Sequence, residues 1–243
     1  MSDAIDLNEQ GPVRGATVDY VVHHLREGIL QGRYAPGQRL IEADLTHELG
    51  ISRGPLREAL RRLSADNLLE IIPNRGAIVR RLSMREMLEL FAIRIALESH
   101  AAREATNALA DPATRARFET EIRPIWAKAK RAPGPGYIAE NKSFHQALIR
   151  ATDNERLLAL TTQMQLPLIM FQLNGMLTEA NIAASVIEHR AIATAMLDGD
   201  AEAAAARTRA HLERARDVAR DMPMKVFHGS NGSPIARSTM RGH

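Results

Sequence analysis

No cysteine occurs anywhere in the 243 residues. That excludes disulfides and thiolate metal sites and fits a reducing, cytoplasmic setting. The opening residues, MSDAIDLNEQ, lack the basic and apolar stretches of a signal peptide. No segment repeats at a fixed period. There is no GxxxxGK, no HExxH, and no histidine with a glutamate three residues before it, so the phosphate loop, the zincin helix and the paired-helix di-iron motif are missing. Charge is absent from one long run, Leu157 to Thr178, which is long enough to span a bilayer. Gln163, Gln165, Gln172 and Asn174 interrupt that run, with Pro167 inside it, and amides are costly in a membrane core. The expectation is a helix buried inside the protein or at a subunit interface, and no membrane. A formal net charge of +3 allows nucleic acid without demonstrating it. The length admits one large domain or two modest ones.

What is present is concentrated between Ile41 and Arg80. Leu45 and Leu49 mark the apolar side of a short helix, and Gly50 supplies the left-handed residue that ends it. Ser52 stands where a hydroxyl caps the next helix, and Pro55 falls in that helix's first turn, where a missing N–H costs little. Leu56, Ala59, Leu60 and Leu63 recur at i, i+3, i+4 and i+7 and so share one face. Arg53, Arg57 and Arg61 repeat every four residues on another face, with Arg62 beside them. Leu69, Ile71 and Ile72 then lead into Pro73-Asn74-Arg75-Gly76, and Ala77, Ile78 and Val79 resume, which predicts a hairpin with Arg75 at its tip. Two helices, a tight turn and a basic hairpin make a winged helix-turn-helix, and an arginine-bearing helix suits the major groove. The alternative is an ordinary αα-hairpin whose arginines are simply solvated.

The run from about Val18 to Leu82 resembles the DNA-binding domain of the GntR family of bacterial transcription regulators. The words GRYAPGQRL, ISRGPLREALRRL and PNRGAIV carry the likeness. It implies that Ser52, Arg53, Gly54 and Arg57 contact DNA from the recognition helix and that Gly76 is the wing-tip glycine entering the minor groove. Ala43 departs from the pattern: some members of the fatty-acid-regulator branch carry a further DNA-contacting arginine there.

The second half reads as helix after helix. Ser83 can cap a helix from Met84 to about Leu109, and Asp111-Pro112 opens one to about Lys130. The stretch RAPGPGY (131–137) is a breaker. Further helices are predicted from about Ile138 to Ala151, Glu155 to Leu177, Glu179 to Leu197 and Ala201 to Arg220. The fold class is therefore mainly α: a winged helix-turn-helix over 15–82 after a flexible 1–14, then an all-α six-helix bundle over 84–222. Residues 223–243, rich in Gly, Ser and Pro, read as a disordered tail.

Within that bundle Asn141 and His145 lie four apart on one helical face, and His189 and His211 lie on two later helices. Imidazoles converging inside a bundle can hold a divalent metal, but a histidine on an amphipathic helix is more often a structural or boundary residue, and spacing alone does not prove convergence. The region from Met84 to about Met222 resembles the FCD effector domain that follows GntR-type modules in the FadR/VanR-like branch. The marks are Arg94 and Glu98 as R-x-x-x-E, then FHQALIRATDN, EHRAIATAMLDGD and AHL. In such domains an acidic residue and three histidines bind metal, so the likeness implies ligands His145, His189 and His211, with Asn141 in the acidic position. An asparagine carbonyl brings no charge, which leaves the site neutral before metal binding and favours an anionic ligand from the effector. Zinc is the first choice of metal, with nickel or manganese as alternatives. Arg94 either pairs with Glu98 four residues on or, as the likeness implies, clamps an effector carboxylate.

Together these features predict a cytoplasmic, homodimeric transcription regulator, a repressor by family weight. It would bind a short, nearly palindromic double-stranded DNA operator and respond to a small organic acid. Two alternatives remain, a DNA-architectural protein with no effector response and a metal-dependent helical-bundle enzyme.

Overall fold

The computed structural model describes residues 14–30, 32–73, 76–127, 130–163, 177–223 and 227. The amino-terminal unit has three helices, α1 (Arg14–Leu30), α2 (Glu42–Leu49) and α3 (Arg53–Ala65). A three-stranded antiparallel sheet completes it, in the order β1 (Arg39–Leu40), β3 (Gly76–Val79), β2 (Leu69–Ile72). β2 and β3 form the expected hairpin, with Leu69 opposite Val79 and Ile72 opposite Gly76. β1 was not foreseen, because two residues carry no readable periodicity. Leu56, Ala59, Leu60 and Leu63 are all buried against α1 and the sheet.

Gly50 ends α2 in the left-handed conformation at φ 61°, as the sequence predicts. Ser52 occupies the N-cap of α3 but its hydroxyl makes no capping hydrogen bond. An N-cap oxygen normally accepts from the second or third helical N–H, and the third helical residue is Pro55, which has none.

The bundle begins with α4 (Met84–Ala108), where Ser83 and Glu86 form a reciprocal capping box. Asp111 caps α5 (Pro112–Ile122), accepting from Thr114 N–H at 2.8 Å. That helix stops well short of Lys130 and passes into a 3₁₀ turn, Arg123–Trp126. Pro124 has no N–H for an α-helical bond to the Thr120 carbonyl, which accepts from Arg123 instead. α6 (Pro135–Arg150) starts inside the stretch read as a breaker, because a proline at the first helical position has its φ preset and loses only an orphan donor.

α7 (Glu155–Gln163), α8 (Glu179–Leu197) and α9 (Ala201–Arg220) complete the described bundle. The remainder of the charge-free run, 164–176, lies outside the described residues. Among the described residues no helix is long and apolar enough to cross a membrane.

α4 and α9 are the most extensively packed pair. They run antiparallel, since Arg103 near the end of α4 pairs with Glu202 in the first turn of α9. Two main cores result. One, containing Phe118, Phe144, Leu148 and Ile192, fills the far end of the bundle. The other is continuous from the winged unit (Leu25, Leu56, Leu63) into Met87, Phe91, Ala219 and Met222 of the bundle. Phe227, within the stretch read as a loose tail, is 4% exposed in that second core; 224–226 and 228–243 lie outside the described residues, as do 1–13.

Candidate functional site

Two places gather the residues singled out by sequence. The first is the outer face of α3. Ser52, Arg53, Gly54, Arg57 and Arg61 are all exposed there. Arg57 donates to Glu42 at 3.0 Å, while Arg62 reaches Asp19 at 2.8 Å and Glu58 at 3.4 Å. These pairs are exposed or half-exposed, so they are weak and exchangeable. No ion pair forms at Arg53 among the described residues. The uncapped hydroxyl of Ser52 and the first-turn N–H groups make an end of α3 that favours an anion.

The two glycines of this region differ. A Cβ at Gly54 would meet nothing within 4 Å, so the fold gives no reason for glycine there. A Cβ at Gly76 (φ +100°) would sit 2.2 Å from the Leu40 carbonyl oxygen. Gly76 is buried in β3 and lets β1 close on the hairpin. Asn74 and Arg75 lie outside the described residues.

The second place is inside the bundle. α6 places Asn141 and His145 one turn apart, both buried. α8 contributes His189 and α9 contributes His211, also buried. One ring nitrogen from each of the three histidines lies within 4.8 Å of the others, so spacing on three separate helices does become convergence. The Nε2 atoms of His189 and His211 are 3.2 Å apart. That matches the ~3.3 Å edge of a tetrahedron with ~2.0 Å metal–nitrogen bonds.

Carboxylates that the sequence reading had not placed here orient two of the rings. Glu98 meets His145 Nδ1 at 2.6 Å and Glu188 meets His211 Nδ1 at 2.7 Å. When Nδ1–H donates outward, Nε2 carries the lone pair, as for metal-binding histidines with a carboxylate behind them. His189 is held differently, its ring stacked on Phe144 with centroids 4.1 Å apart. Glu188 precedes His189 in sequence, but nothing in the chain pattern said that it would serve His211.

Burial keeps two of the imidazoles, His189 and His211, neutral. Burial pushes His211 down to about 4, against the opposing Glu188 hydrogen bond. Burial and the neighbouring His211 and His145 lower His189 well below its usual range. For Glu98, burial pushes upward, but the charges of Arg94 and His145 and their hydrogen bonds prevail and hold it at about 2. Glu188 is lowered in the same way: burial opposes, and hydrogen bonds from His211 and Arg214 prevail. The donor set, three imidazoles with a neighbouring amide at Asn141, is of the type that suits a divalent first-row ion.

Arg94 makes the internal pair with Glu98 that its spacing allows. Its Nε donates to Glu98 at 2.7 Å within the buried interior. Its Nη2 is buried with no hydrogen-bond partner, a state that costs about 1–3 kcal/mol unless an acceptor arrives. Arg94, Asn141, His145 and His211 border one cavity, together with Tyr137, Ser185 and Arg214.

Comparison with known proteins gives a consistent picture. Residues 89–214 match the FCD domain, and residues 17–79 match the bacterial regulatory proteins of the gntR family. An HTH-type transcriptional regulator from the TAR-I ttuE-ttuC' intergenic region of Agrobacterium vitis is 32% identical over 54% of this chain and 78% of its own length. A probable D-xylose utilization operon transcriptional repressor of Paenarthrobacter nicotinovorans is 31% identical, over 72% of this chain and 76% of the relative. Among solved structures, McbR/YncC of E. coli has a similar fold, with a TM-score of 0.70 at 22% identity, covering 84% of this chain and 97% of that one.

Proposed function

This chain belongs to the gntR family of bacterial regulatory proteins and carries an FCD domain, and from that premise we propose that it is a metal-assisted, carboxylate-responsive repressor acting as a homodimer. That it is a DNA-binding transcription regulator, and not an enzyme, follows from the family and its relatives. The rest is our reading. Ser52, Arg53, Gly54 and Arg57 contact operator DNA from the start of α3, and the wing around Arg75 and Gly76 follows the adjacent groove. One winged unit is too small for strong specificity, so two copies read a near-palindrome. The relative named a repressor weights the sign of regulation.

In the bundle, His145, His189 and His211 hold a divalent ion, zinc first, with nickel or manganese as alternatives and Asn141 as a weak fourth ligand. Such an ion supplies Lewis acidity and positive charge at the cavity. The chain's own contribution is orientation: Glu98 and Glu188 fix two imidazole rings, and Arg94 presents a guanidinium edge to the ligand. The single observation carrying this reading is the buried, unpartnered Nη2 of Arg94 beside the histidine cluster. Effector occupancy shifts the equilibrium between DNA-competent and DNA-incompetent arrangements by its differential affinity for the two.

Elemental analysis of protein purified without chelator or His-tag tests the metal. About one ion per chain is expected, with clear loss in His189→Ala and tighter retention in Asn141→Asp. No metal, together with an unaltered ligand response in His145→Ala and His189→Ala, would leave these histidines as structural residues.

A further inference from the structure

Past residue 214, where the match to the FCD domain ends, the chain turns back into the interior. α9 stops at Arg220, and the exposed Pro223 just beyond it cannot continue a helical hydrogen-bond ladder. Met222 and Phe227 are nevertheless only 8% and 4% exposed. Both belong to the core that contains Leu25 of α1, Leu56 of α3 and Leu69 of β2.

That core is a seam between the two units. The bundle contributes Met87 and Phe91 from the start of α4 and Ala219 from the end of α9. Units joined through a small polar interface move relative to one another by default, and a hydrophobic junction suppresses that motion. An aromatic side chain is the largest apolar contribution one residue can make to such a junction. Phe91 also borders the cavity that contains Arg94, with its ring 5.5 Å from the Arg94 guanidinium carbon. The seam therefore reaches the proposed ligand site.

We propose that Phe227, supported by Met222, is a positioning residue for DNA recognition. It anchors the segment after α9 in the seam and so holds the winged unit at one place on the bundle. Resting on the homodimer reading above, that place fixes the distance between the two winged units, and the distance selects the spacing of operator half-sites. Base contacts remain with α3. Phe227 acts on where the two recognition helices stand, not on which bases they read.

Full-length protein, Phe227→Leu, Met222→Ala and Phe227→Ala are each used to select duplexes from a random-sequence library, and amide hydrogen exchange is followed in all of them. The unaltered chain and Phe227→Leu are expected to enrich paired half-sites at one spacing. Phe227→Ala is expected to enrich the same half-site at several spacings. Its α1 amides should exchange about tenfold faster, while those of α5 and α6, in the other core, stay unchanged. Met222→Ala, a milder truncation, should broaden the spacing in the same direction and carries the test if Phe227→Ala does not fold. A single unchanged spacing in the folded alanine variants would overturn the positioning role. So would faster exchange spread through the whole bundle, the mark of an ordinary core residue. Isolated half-sites enriched by the unaltered chain would instead overturn the homodimer reading, and the spacing role with it.

Discussion

The winged unit and the bundle both contain arginine–carboxylate pairs, and they use them in opposite ways. Between α3 and α2, Arg57 and Glu42 meet at 3.0 Å with side chains 52% and 21% exposed. In the bundle, Arg94 and Glu98 meet at 2.7 Å with side chains 4% and 2% exposed. A solvated pair can exchange its partner for a phosphate or a base edge at little cost. A buried pair cannot exchange, because removing either member strands a charge in low dielectric. The first region therefore keeps its arginines ready for a large polyanion arriving from solvent. The second fixes a guanidinium, a carboxylate and an imidazole in one arrangement before any ligand arrives.

The sharpest way to break that contrast is to delete the carboxylate of each pair. Glu98→Ala is expected to lower stability by about 3–5 kcal/mol, because Arg94 is left buried and uncompensated. Glu42→Ala is expected to change stability by about 0–1 kcal/mol and to leave DNA binding equal or tighter, since Arg57 loses a competitor. Urea unfolding of both variants measures the difference. Similar losses for the two would mean that burial does not separate them.

A smaller effect concerns recognition. Arg53→Ala and Arg57→Ala should each cost about 1–3 kcal/mol of specific DNA affinity if they read a guanine edge, with little change in thermal stability. Affinity measured against matched and scrambled operators checks this, and unchanged affinity in both variants would remove α3 as the reading helix.

The two glycines sharpen the same division within the winged unit. Gly76→Ala should destabilise by about 1–3 kcal/mol through its positive φ, with the contact at Leu40 adding to the loss. Gly54→Ala should leave stability intact, because no atom lies near the new methyl, and should weaken DNA binding if the duplex approaches there. A melting curve paired with a DNA titration reads both.

A further contrast concerns pH dependence, and it belongs to the bundle. The ordinary value for histidine is 6.5, and His211 is held at about 4 in the folded protein. Between those values the unfolded chain takes up a proton that the native state refuses, so stability is lost as pH falls through that window. His189 shifts in the same direction. Glu98 acts lower: its contribution is complete above its ordinary 4.5 and disappears as pH falls toward about 2. Metal-free protein should therefore melt at lower temperature at pH 5 than at pH 7. His211→Gln should flatten the difference; an unchanged slope would place the titration elsewhere.

How much of this the sequence already contained differs between the regions for a physical reason. Local rules decided the winged unit. The period of Leu56, Ala59, Leu60 and Leu63 set the buried face of α3, Gly50 set the turn, and Pro73 to Gly76 set the hairpin. Where local reading failed, the cause was also local. Pro55 removed the donor that Ser52 would cap, Pro124 ended α5 early, and Pro135 opened α6 where a breaker was expected. β1 has only two residues, and its existence depends on β3 being beside it.

In the bundle, sequence singled out the candidates: Arg94, Asn141, His145, His189 and His211 were all named from spacing or family likeness. Tertiary structure alone decided that three imidazoles from three helices converge, and that Glu98 and Glu188 stand behind two of them. It also decided that one edge of Arg94 is left without a partner. Helical periodicity fixes the face a residue shares with neighbours three or four positions away. It does not say which other helix will meet that face, and the cluster assembled from α4, α6, α8 and α9 depends on that meeting.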